Sequence, residues 1–384
     1  MSPTLYHKKE DCCGCKACSN ACPNDAISFL PDEYGFQYPV INSEKCIGCE
    51  KCVKTCDFQK NEANGHIPIE GLAARHKDKA IYENSTSGGV FTAIAEWILA
   101  KGGLVYGCAY DSDMKPVHKV AENLDELASM RGSKYVQSDT GYVYRDVKEK
   151  IKEGRYVLFT GTPCQVAGLY SFLGKTNTEK LLTADIVCHG VPSQEAFAKY
   201  IHFLEKKNRQ KIIDFKFRDK RYEWERPVIS VAFKDGGSKW WFSTTDVYYT
   251  NFIEGNLQRL SCFCCKYSCP SRCGDITIGD FWGYQKAMLK MSVKEGVSCC
   301  LLNTEKAIKI FASLKVNYEK VAPEIIFKGN KHLMTCSNKG KNWENVMNTI
   351  IRNDFDVLFS QFRKSHRKAF MKAIIKKLVL KPRH

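Results

Sequence analysis

The feature that most constrains this chain is a pair of cysteine runs in its first sixty residues. The pattern Cys-x2-Cys-x2-Cys-x3-Cys begins at Cys12 and recurs from Cys46, and the whole chain contains 20 cysteines. No stretch approaches the roughly 20 apolar residues of a transmembrane helix, and the N-terminus lacks the apolar core of a secretory signal. We therefore expect a cytoplasmic protein whose thiols stay reduced and act as metal ligands or redox groups.

The spacing of both runs resembles that of two-cluster bacterial ferredoxins, in which the fourth cysteine of each run ligates the other 4Fe–4S cluster. It predicts one cluster held by Cys12, Cys15, Cys18 and Cys56, and a second held by Cys46, Cys49, Cys52 and Cys22. Gly14 and Gly48 lie between the first two ligands of each run, where glycine lets the backbone curl and turn its amides towards sulfur. Zinc is the alternative metal, although zinc sites seldom use this spacing twice.

A third group of cysteines lies in "LSCFCCKYSCPSRCGDITIGDFWG", residues 260–283. Two ligand sets remain open for a third metal site. One is local and consists of Cys262, Cys265, Cys269 and Cys273, whereas the other joins Cys262 and Cys265 to Cys164 and Cys188. A third 4Fe–4S cluster and a zinc ion are both compatible with four cysteines.

Two segments in the middle of the chain predict a buried strand, a tight turn and a helix. In "RYVLFTGTPCQVAGLYSFLG" (155–174), Pro163 suits the first helical turn and Cys164 lies where the helix dipole would stabilise a thiolate. A buried, inert cysteine is the alternative. In "ADIVCHGVPSQEAF" (184–197), Ser193 is the predicted N-cap, and Cys188 and His189 follow the strand, where open α/β sheets bind ligands. A histidine satisfied within its own turn is equally consistent.

A further short motif, "STSGG", precedes an apolar helical pattern that begins at Val90. Its serine and threonine side chains can cap this helix, and its paired glycines can let a ligand approach the backbone.

Taken together, these segments resemble the coenzyme F420 hydrogenase/dehydrogenase β-subunit family, in the form that carries an N-terminal two-cluster ferredoxin domain. The resemblance rests on "STSGGVFTAI", "MRGSKYVQS", "VLFTGTPCQVAGL", "DIVCHGVPS" and "CFCC…DITIGDFWG", in that order. Members are flavoproteins that carry FAD and pass electrons between iron–sulfur clusters and a two-electron acceptor. This chain departs from the pattern in the additional cysteines Cys264, Cys269 and Cys273.

The resemblance implies a set of cofactor-binding residues. They are Ser85, Thr86, Ser87, Gly88, Gly89, Lys134, Tyr135, Thr160, Gly161, Thr162, Pro163 and Gly190. Lys134, Cys164 and His189 are the implied catalytic residues, and a lysine near the flavin N1–C2 carbonyl would stabilise the anionic reduced ring. The alternative for Lys134 is a solvated surface side chain.

We predict an α+β ferredoxin-like domain followed by an α/β flavin-binding domain with a mixed C-terminal extension. The predicted boundaries are 1–62 for the ferredoxin domain, 72–150 and 151–320 for the two parts of the flavin-binding region, and 321–384 for a helical basic tail. The net charge of +16 lies mostly outside the first sixty residues, and no nucleic-acid-binding signature is present. The basic tail indicates a solvated end or a helix that docks on a membrane surface or a partner.

The predicted function is that of an iron–sulfur flavoprotein oxidoreductase, in which 4Fe–4S clusters and FAD serve a small two-electron acceptor or donor. The expected protein partner is a ferredoxin or another redox protein. Two alternatives remain: an electron-transfer subunit that relays to a partner enzyme, and a structural module that keeps its clusters for stability.

Overall fold

The N-terminal segment folds as a small unit built around a β-hairpin. The computed structural model describes residues 2–60, 65–222, 224–352 and 355–379. In chain order, this unit contains α1 (Ala17–Ala21), β1 (Ile27–Pro31), β2 (Gln37–Ile41) and α2 (Lys51–Thr55). The two strands pair antiparallel, from Ile27 opposite Ile41 to Pro31 opposite Gln37. Each short helix carries the third cysteine of its run, so the hairpin holds the two runs side by side.

The remainder of the chain is built from alternating strands and helices. The strands are β3 (Glu70–His76), β4 (Leu104–Tyr110), β5 (Pro116–Ala121), β6 (Val157–Gly161), β7 (Leu181–Ile186), β8 (Ile212–Asp219), β9 (Val228–Phe233), β10 (Ser238–Phe242), β11 (Ile276–Asp280), β12 (Ser298–Leu302) and β13 (Val316–Val321). The helices are α3 (Lys79–Glu83), α4 (Val90–Ala100), α5 (Leu124–Ala128), α6 (Val143–Lys152), α7 (Pro163–Leu173), α8 (Gln194–Asn208), α9 (Val247–Ile253), α10 (Glu305–Phe311), α11 (Pro323–Gly329), α12 (Trp343–Ile351), α13 (Phe355–Ser365) and α14 (Arg367–Val379).

An eight-stranded mixed sheet forms the centre of the molecule. Its strand order is β13-β3-β12-β11-β7-β6-β4-β5. The neighbours β11, β7, β6 and β4 run parallel, whereas the pairs towards both edges are antiparallel. Because β6 and β7 are parallel, the turns that follow them lie at the same edge of the sheet. The predicted combination of α and β structure is thus confirmed as a mixed α/β fold with one large sheet.

Three further strands form a separate antiparallel sheet, in the order β10-β9-β8. This sheet packs into an aromatic-rich core that also receives α8, α9, α12 and α13, with Phe197, Phe217, Tyr248, Trp343 and Phe355 among its buried side chains. Phe36 and Tyr38 of the N-terminal hairpin belong to the same core. The N-terminal unit is therefore packed firmly against the body of the protein.

The C-terminal region contains the helices α11 to α14, with a non-helical stretch over 334–342, and most of it is packed on the body of the protein. Phe362 is buried in the aromatic core and Phe370 packs against it, whereas Ile374 is 63% exposed. The last residues of the predicted tail, 380–384, lie outside the described part, as do residues 61 and 62 of the first predicted domain. Within the described residues, we find no helix both long and apolar enough to cross a bilayer.

The helix starts agree with the sequence in two cases and differ in one. Pro163 begins α7, and the Ser193 side chain caps α8 by accepting from the Ala196 amide. The expected Ser or Thr cap of α4 is wrong: its N-cap is Gly89, with φ at +81° and no side-chain cap. A left-handed backbone favours glycine, and the preceding Ser85, Thr86 and Ser87 side chains bond elsewhere.

Candidate metal and cofactor site

The structure brings together the four cysteines predicted for the first cluster. Cys12, Cys15 and Cys18 wrap around the start of α1, and Cys56 arrives from the end of α2. Burial raises the pKa of Cys18, and the thiols of the other three members raise it further. We call Cys12, Cys15, Cys18 and Cys56 the first thiol set.

The second predicted ligand group lines a cavity on the outer side of the N-terminal unit. The walls of this cavity, which opens to solvent, include Cys22, Cys46, Cys49 and Cys52. Cys22, the last cysteine of the first run, thus lies with the cysteines of the second run. Conversely, Cys56, the last cysteine of the second run, lies with those of the first. Cys49 is exposed to solvent and Ile47 beside it is 65% exposed. We call these four cysteines the second thiol set.

Backbone amides point at several of these sulfurs, as a cluster site requires. Gly14 and Gly48 adopt φ of +70° and +67°, which confirms the tight turn expected at both positions. The Gly48 amide donates to Cys46 and lowers the pKa of its thiol. Burial raises the pKa of Cys12, and its neighbours Arg259 and the Gly14 amide oppose that rise. The donor set and its amide hydrogen bonds fit iron–sulfur clusters, whose potential depends on such bonds.

A third set of thiols meets at the edge of the large sheet where β6 and β7 end. Burial raises the pKa of Cys188 to about 12, and the thiols of Cys164 and Cys265 contribute to the rise. Burial likewise raises the pKa of Cys262, with Cys188, Cys265 and Cys164 among the contributing neighbours. We call Cys164, Cys188, Cys262 and Cys265 the third thiol set.

Of the two remaining members of the local alternative, the Cys269 thiol donates to a backbone carbonyl, whereas burial raises the pKa of the Cys273 thiol, with Asp185 and Cys164 among the contributing neighbours. Cys269 donates to the Ser271 carbonyl at 3.4 Å, and the Cys273 amide donates to the buried Asp185 carboxylate at 3.0 Å. Among the described residues, no group of three or more His, Cys, Asp or Glu side chains is arranged to hold one metal ion.

Cys13 lies between the first and third thiol sets, a role that its position outside the repeated pattern did not reveal. It is 6% exposed. Hydrogen bonds to the sulfurs of Cys15 and Cys164 raise its pKa, and the same bonds lower the pKa of each partner. For Cys164, this hydrogen bond exceeds every other influence on its thiol. The low pKa expected there from the start of α7 therefore has a tertiary cause.

The "STSGG" segment is tied to the large sheet by hydrogen bonds. Ser85 Oγ donates to the Ile81 carbonyl at 2.7 Å, and Ser87 Oγ donates to the Val297 carbonyl at 2.7 Å. Thr86 Oγ1 accepts from the Ser133 amide at 3.0 Å, which joins this motif to "GSKY".

The two glycines of that motif pack closely against protein atoms. A β-carbon at Gly88 would lie 2.2 Å from the Ala74 carbonyl oxygen, and one at Gly89 would lie 3.2 Å from the His76 β-carbon. Their small size therefore allows close contact with β3.

Lys134 is half-buried and held by the backbone. Its Nζ donates to the carbonyls of Ser129 at 3.1 Å and Arg131 at 3.0 Å, and it stands 5.7 Å from the centre of the Tyr110 ring. Burial lowers its pKa. Lys134 is therefore not the freely solvated lysine of the alternative interpretation. The adjacent Tyr135 is stacked on Phe252, with ring centres 4.8 Å apart.

The residues of the "TGTP" turn are bound to one another and to the neighbouring elements. Thr160 Oγ1 donates to the Tyr106 carbonyl at 3.2 Å, and the Thr162 hydroxyl lies 3.1 Å from the Cys164 sulfur. A β-carbon at Gly161 would lie 3.0 Å from Gln165 Oε1. This turn consequently positions Cys164 within the third thiol set.

His189 and Gly190 lie beside the third thiol set. The Gly190 amide donates to the Cys188 sulfur at 3.4 Å. The ring of His189 lies 3.8 Å from that of His332, centre to centre, and burial lowers the pKa of His189 to about 3. The His189 ring is thus uncharged at neutral pH. No sequence motif pointed to His332.

A polar wall near Lys134 contains buried atoms without a hydrogen-bond partner among the described residues. These atoms are Tyr110 Oη, Arg131 Nε, Arg218 Nε and Asp280 Oδ1. Arg218 Nη1 lies 2.6 Å from Asp280 Oδ2 and 3.5 Å from the Tyr135 hydroxyl, so the wall is continuous with the "GSKY" segment. Unpaired buried polar groups are costly, and these donors and acceptors fit a cofactor with a polar ring edge.

Comparison with known protein families accounts for most of the chain. Residues 11–60 match the 4Fe-4S dicluster domain, residues 72–144 match "Coenzyme F420 hydrogenase/dehydrogenase, beta subunit N-term", and residues 154–324 match the C terminus of the same subunit. No curated protein matches the chain. A similar solved chain belongs to the F420-reducing [NiFe] hydrogenase complex of Methanosarcina barkeri. It shares 16% identity over 80% of this chain and 96% of its own, with a TM-score of 0.43.

Proposed function

The chain belongs to the coenzyme F420 hydrogenase/dehydrogenase β-subunit family and contains a 4Fe-4S dicluster domain, and from this premise we propose that it is an iron–sulfur flavoprotein oxidoreductase. When bound, the clusters would supply one-electron transfer and FAD would link it to the two-electron chemistry of a small organic molecule. The first and second thiol sets would each hold a 4Fe–4S cluster, and the third set would hold another.

The observation that carries this proposal is the continuity of the thiols through the molecule. Cys22 and Cys56 exchange between the two N-terminal runs, so the first and second sets are adjacent. The Cys13 thiol forms hydrogen bonds with Cys15 of the first set and with Cys164 of the third set. Cysteine ligands therefore extend from the exposed Cys49 to the edge of the large sheet.

The flavin would lie against the polar wall beside "STSGG" and "GSKY". Arg131 and Arg218 supply positive charge and unpaired hydrogen-bond donors there, and Lys134 supplies a further positive charge. Tyr110 and Asp280 supply further unpaired polar atoms. Charge beside the ring tunes a flavin. Lys134 would therefore present its ammonium group to the ring edge, and the uncharged His189 would lie on the side of the third thiol set.

The alternative function is a relay subunit that passes electrons to a partner enzyme without a substrate of its own. The exposure of Cys49 and Ile47 favours docking of a redox protein, such as a ferredoxin, at the second thiol set. A purified chain that binds flavin and reduces or oxidises a small molecule supports the enzyme. A flavin-free chain that exchanges electrons only with a ferredoxin supports the relay.

The first experiment is an anaerobic inventory of metal, sulfide and flavin. Two clusters correspond to about eight iron and eight sulfide ions per chain, and a third raises both to about twelve. We expect about twelve of each, with one flavin released on acid precipitation. Zinc in place of the additional iron would contradict a third cluster, and a colourless folded protein would contradict the whole proposal.

A matched pair of variants tests the ligands of the third site. Cys188→Ser removes a member of the third thiol set, and we expect it to lose about four iron ions, the content of one cube. Cys269→Ser, which changes a thiol that bonds to the Ser271 carbonyl, should retain full iron content. The reverse pattern would identify the local set instead.

A second pair tests the flavin site. We expect Lys134→Ala to weaken flavin binding, seen as lower flavin absorbance in the purified protein. Lys119→Ala is the control, because the exposed Lys119 donates to the Tyr110 carbonyl at 2.8 Å from outside the wall. Equal flavin content in both variants would remove Lys134 from the site.

A further inference from the structure

Arg259 is a cation enclosed between the N-terminal unit and the third thiol set. It is 0% exposed. Its Nε donates to the Cys12 carbonyl at 2.7 Å and its Nη2 donates to the Gln37 carbonyl at 3.0 Å. The guanidinium carbon lies 4.0 Å from the centre of the Tyr38 ring. The Arg259 side chain, which comes from the body of the protein, is thus hydrogen-bonded to the loop that carries the first thiol set.

The main chain of the same residue holds the loops of the third thiol set. The Arg259 amide donates to the Val191 carbonyl at 2.9 Å, three residues beyond Cys188, and the Arg259 carbonyl accepts from the Cys262 amide at 2.9 Å. Gln137 strengthens the connection, since its Nε2 donates to the Cys13 carbonyl at 2.8 Å and its Oε1 accepts from Arg259 Nη1 at 3.3 Å.

The charge of Arg259 has sulfur atoms as its neighbours. The groups that contribute most to the charge environment of Arg259 are the thiols of Cys12, Cys13 and Cys262 and the phenol of Tyr38. A buried charge without a counter-ion is strongly unfavourable. Anionic sulfur ligands around an iron cluster would place such a negative charge beside Arg259.

We propose that Arg259 is a positioning residue that joins the first and third thiol sets and raises the reduction potential of the cluster held by the first. The inference rests on the proposed function, because it requires a cluster at the first set. Reduction adds a negative charge to a cluster, and a cation in a site of low dielectric stabilises that charge with little screening by salt. The charge on the neighbouring groups is one of the factors that set cluster potentials.

The chain offers an internal reference and a matched control. Within the described residues, no contact joins Arg259 to the second thiol set. The potential of the second-set cluster should therefore change only if a substitution at Arg259 disturbs the whole protein. Arg145 also grips the N-terminal unit, since its side chain donates to the carbonyls of Ser19, Asn20 and Cys22. However, Arg145 is paired with Asp25 at 2.7 Å and is 33% exposed, so its charge is compensated and screened.

The test is an anaerobic redox titration of the whole protein followed by EPR. A Cys46→Ser variant, which lacks a ligand of the second set, identifies which signal belongs to which cluster. In Arg259→Gln we expect the reduced-to-oxidised ratio of the first-set cluster, at fixed potential, to fall about tenfold, which corresponds to about 59 mV for one electron. Arg259→Lys keeps the charge and should lower this ratio less. Arg145→Gln should leave the potential of the first-set cluster unchanged, and Arg259→Gln should leave that of the second-set cluster unchanged.

An unshifted first-set potential in Arg259→Gln, at full iron content, would overturn the inference. If that variant loses the first-set iron, Gln137→Glu takes its place, because a carboxylate beside Nη1 cancels the charge while Arg259 remains. Gln137→Glu must then shift the same signal to lower potential, and an unchanged signal again overturns the inference. A wild-type protein without cluster signals would instead refute the proposed function.

Discussion

The buried ion pair between Asp185 and Arg272 leads to a stability prediction that can be worked out in numbers. Asp185 is 0% exposed and Arg272 is 1% exposed, and Oδ1 lies 3.1 Å from Nη2. The other carboxylate oxygen accepts from the amides of Cys273 at 3.0 Å and Gly274 at 2.9 Å. Arg272 Nη1 also donates to the Tyr267 carbonyl at 3.0 Å. The pair therefore holds β7 against the loop that carries the third cysteine group.

Asp185→Asn keeps the shape of this side chain and removes its charge. The guanidinium then stays in the core without a counter-ion, and the new amide group faces a donor whichever way it is turned. Loss of one partner of a buried pair costs about 3–5 kcal/mol. With an unfolding entropy of about 2.1 cal/mol/K per residue, the 384-residue chain has about 0.8 kcal/mol/K. The melting temperature should consequently fall by about 4–6 °C.

The measurement is anaerobic differential scanning calorimetry of the cluster-loaded protein. Asp356→Asn is the control, since Asp356 pairs with Lys206 at 3.4 Å and both side chains are 71% exposed. An exposed pair contributes about 0–1 kcal/mol, so the control should melt within about 1 °C of wild type. Equal melting temperatures for the two variants would refute the reasoning.

Three further predictions concern single positions. Burial lowers the pKa of His118 from 6.5 to about 4. The neutral ring therefore contributes its full stabilisation of the fold above pH 6.5. This stabilisation is lost as the pH falls towards 4, because the unfolded state is protonated first. Thermal melts across this range should show a smaller acid destabilisation in His118→Gln than in wild type. Gly14→Ala should lose first-set iron, because φ is +70° and the β-carbon would lie 2.7 Å from Gln137 Nε2. Gly102→Ala, with φ at +65° and open space, should retain its iron. Thr304→Ala removes the N-cap of α10 and should cost about 1 kcal/mol, read from denaturant unfolding; no loss would contradict the cap.

The elements that the sequence predicted best are those whose signals are local. The hairpin of the N-terminal unit, the strands that precede Cys164 and Cys188, and the helices α7 and α8 follow from apolar periodicity and turn residues within about ten positions. Pro163 and Ser193 mark helix starts because capping depends only on the adjacent backbone. The ligand exchange between the two cysteine runs was predicted for a similar reason, since it is encoded in their spacing.

The features that escaped the sequence depend on residues far apart in the chain. Cys13 lies outside the repeated cysteine pattern, yet it hydrogen-bonds to Cys164 across the interface between the N-terminal unit and α7. The predicted Ser or Thr cap of α4 was wrong because the Ser87 hydroxyl instead donates to the Val297 carbonyl, which is distant in the sequence. No pattern marked Arg259 or His332, because their importance comes from burial beside groups that other segments supply.

The sequence by itself determined that this chain holds two runs of metal-ligating thiols and an α/β body, because spacing and periodicity are properties of neighbouring residues. It left two ligand sets open for the third site. Only the tertiary structure shows that Cys164 and Cys188 lie beside Cys262, since the parallel pairing of β6 and β7 carries both cysteines to one edge of the sheet. Such a meeting is set by strand order and packing of the whole core, which no local pattern records.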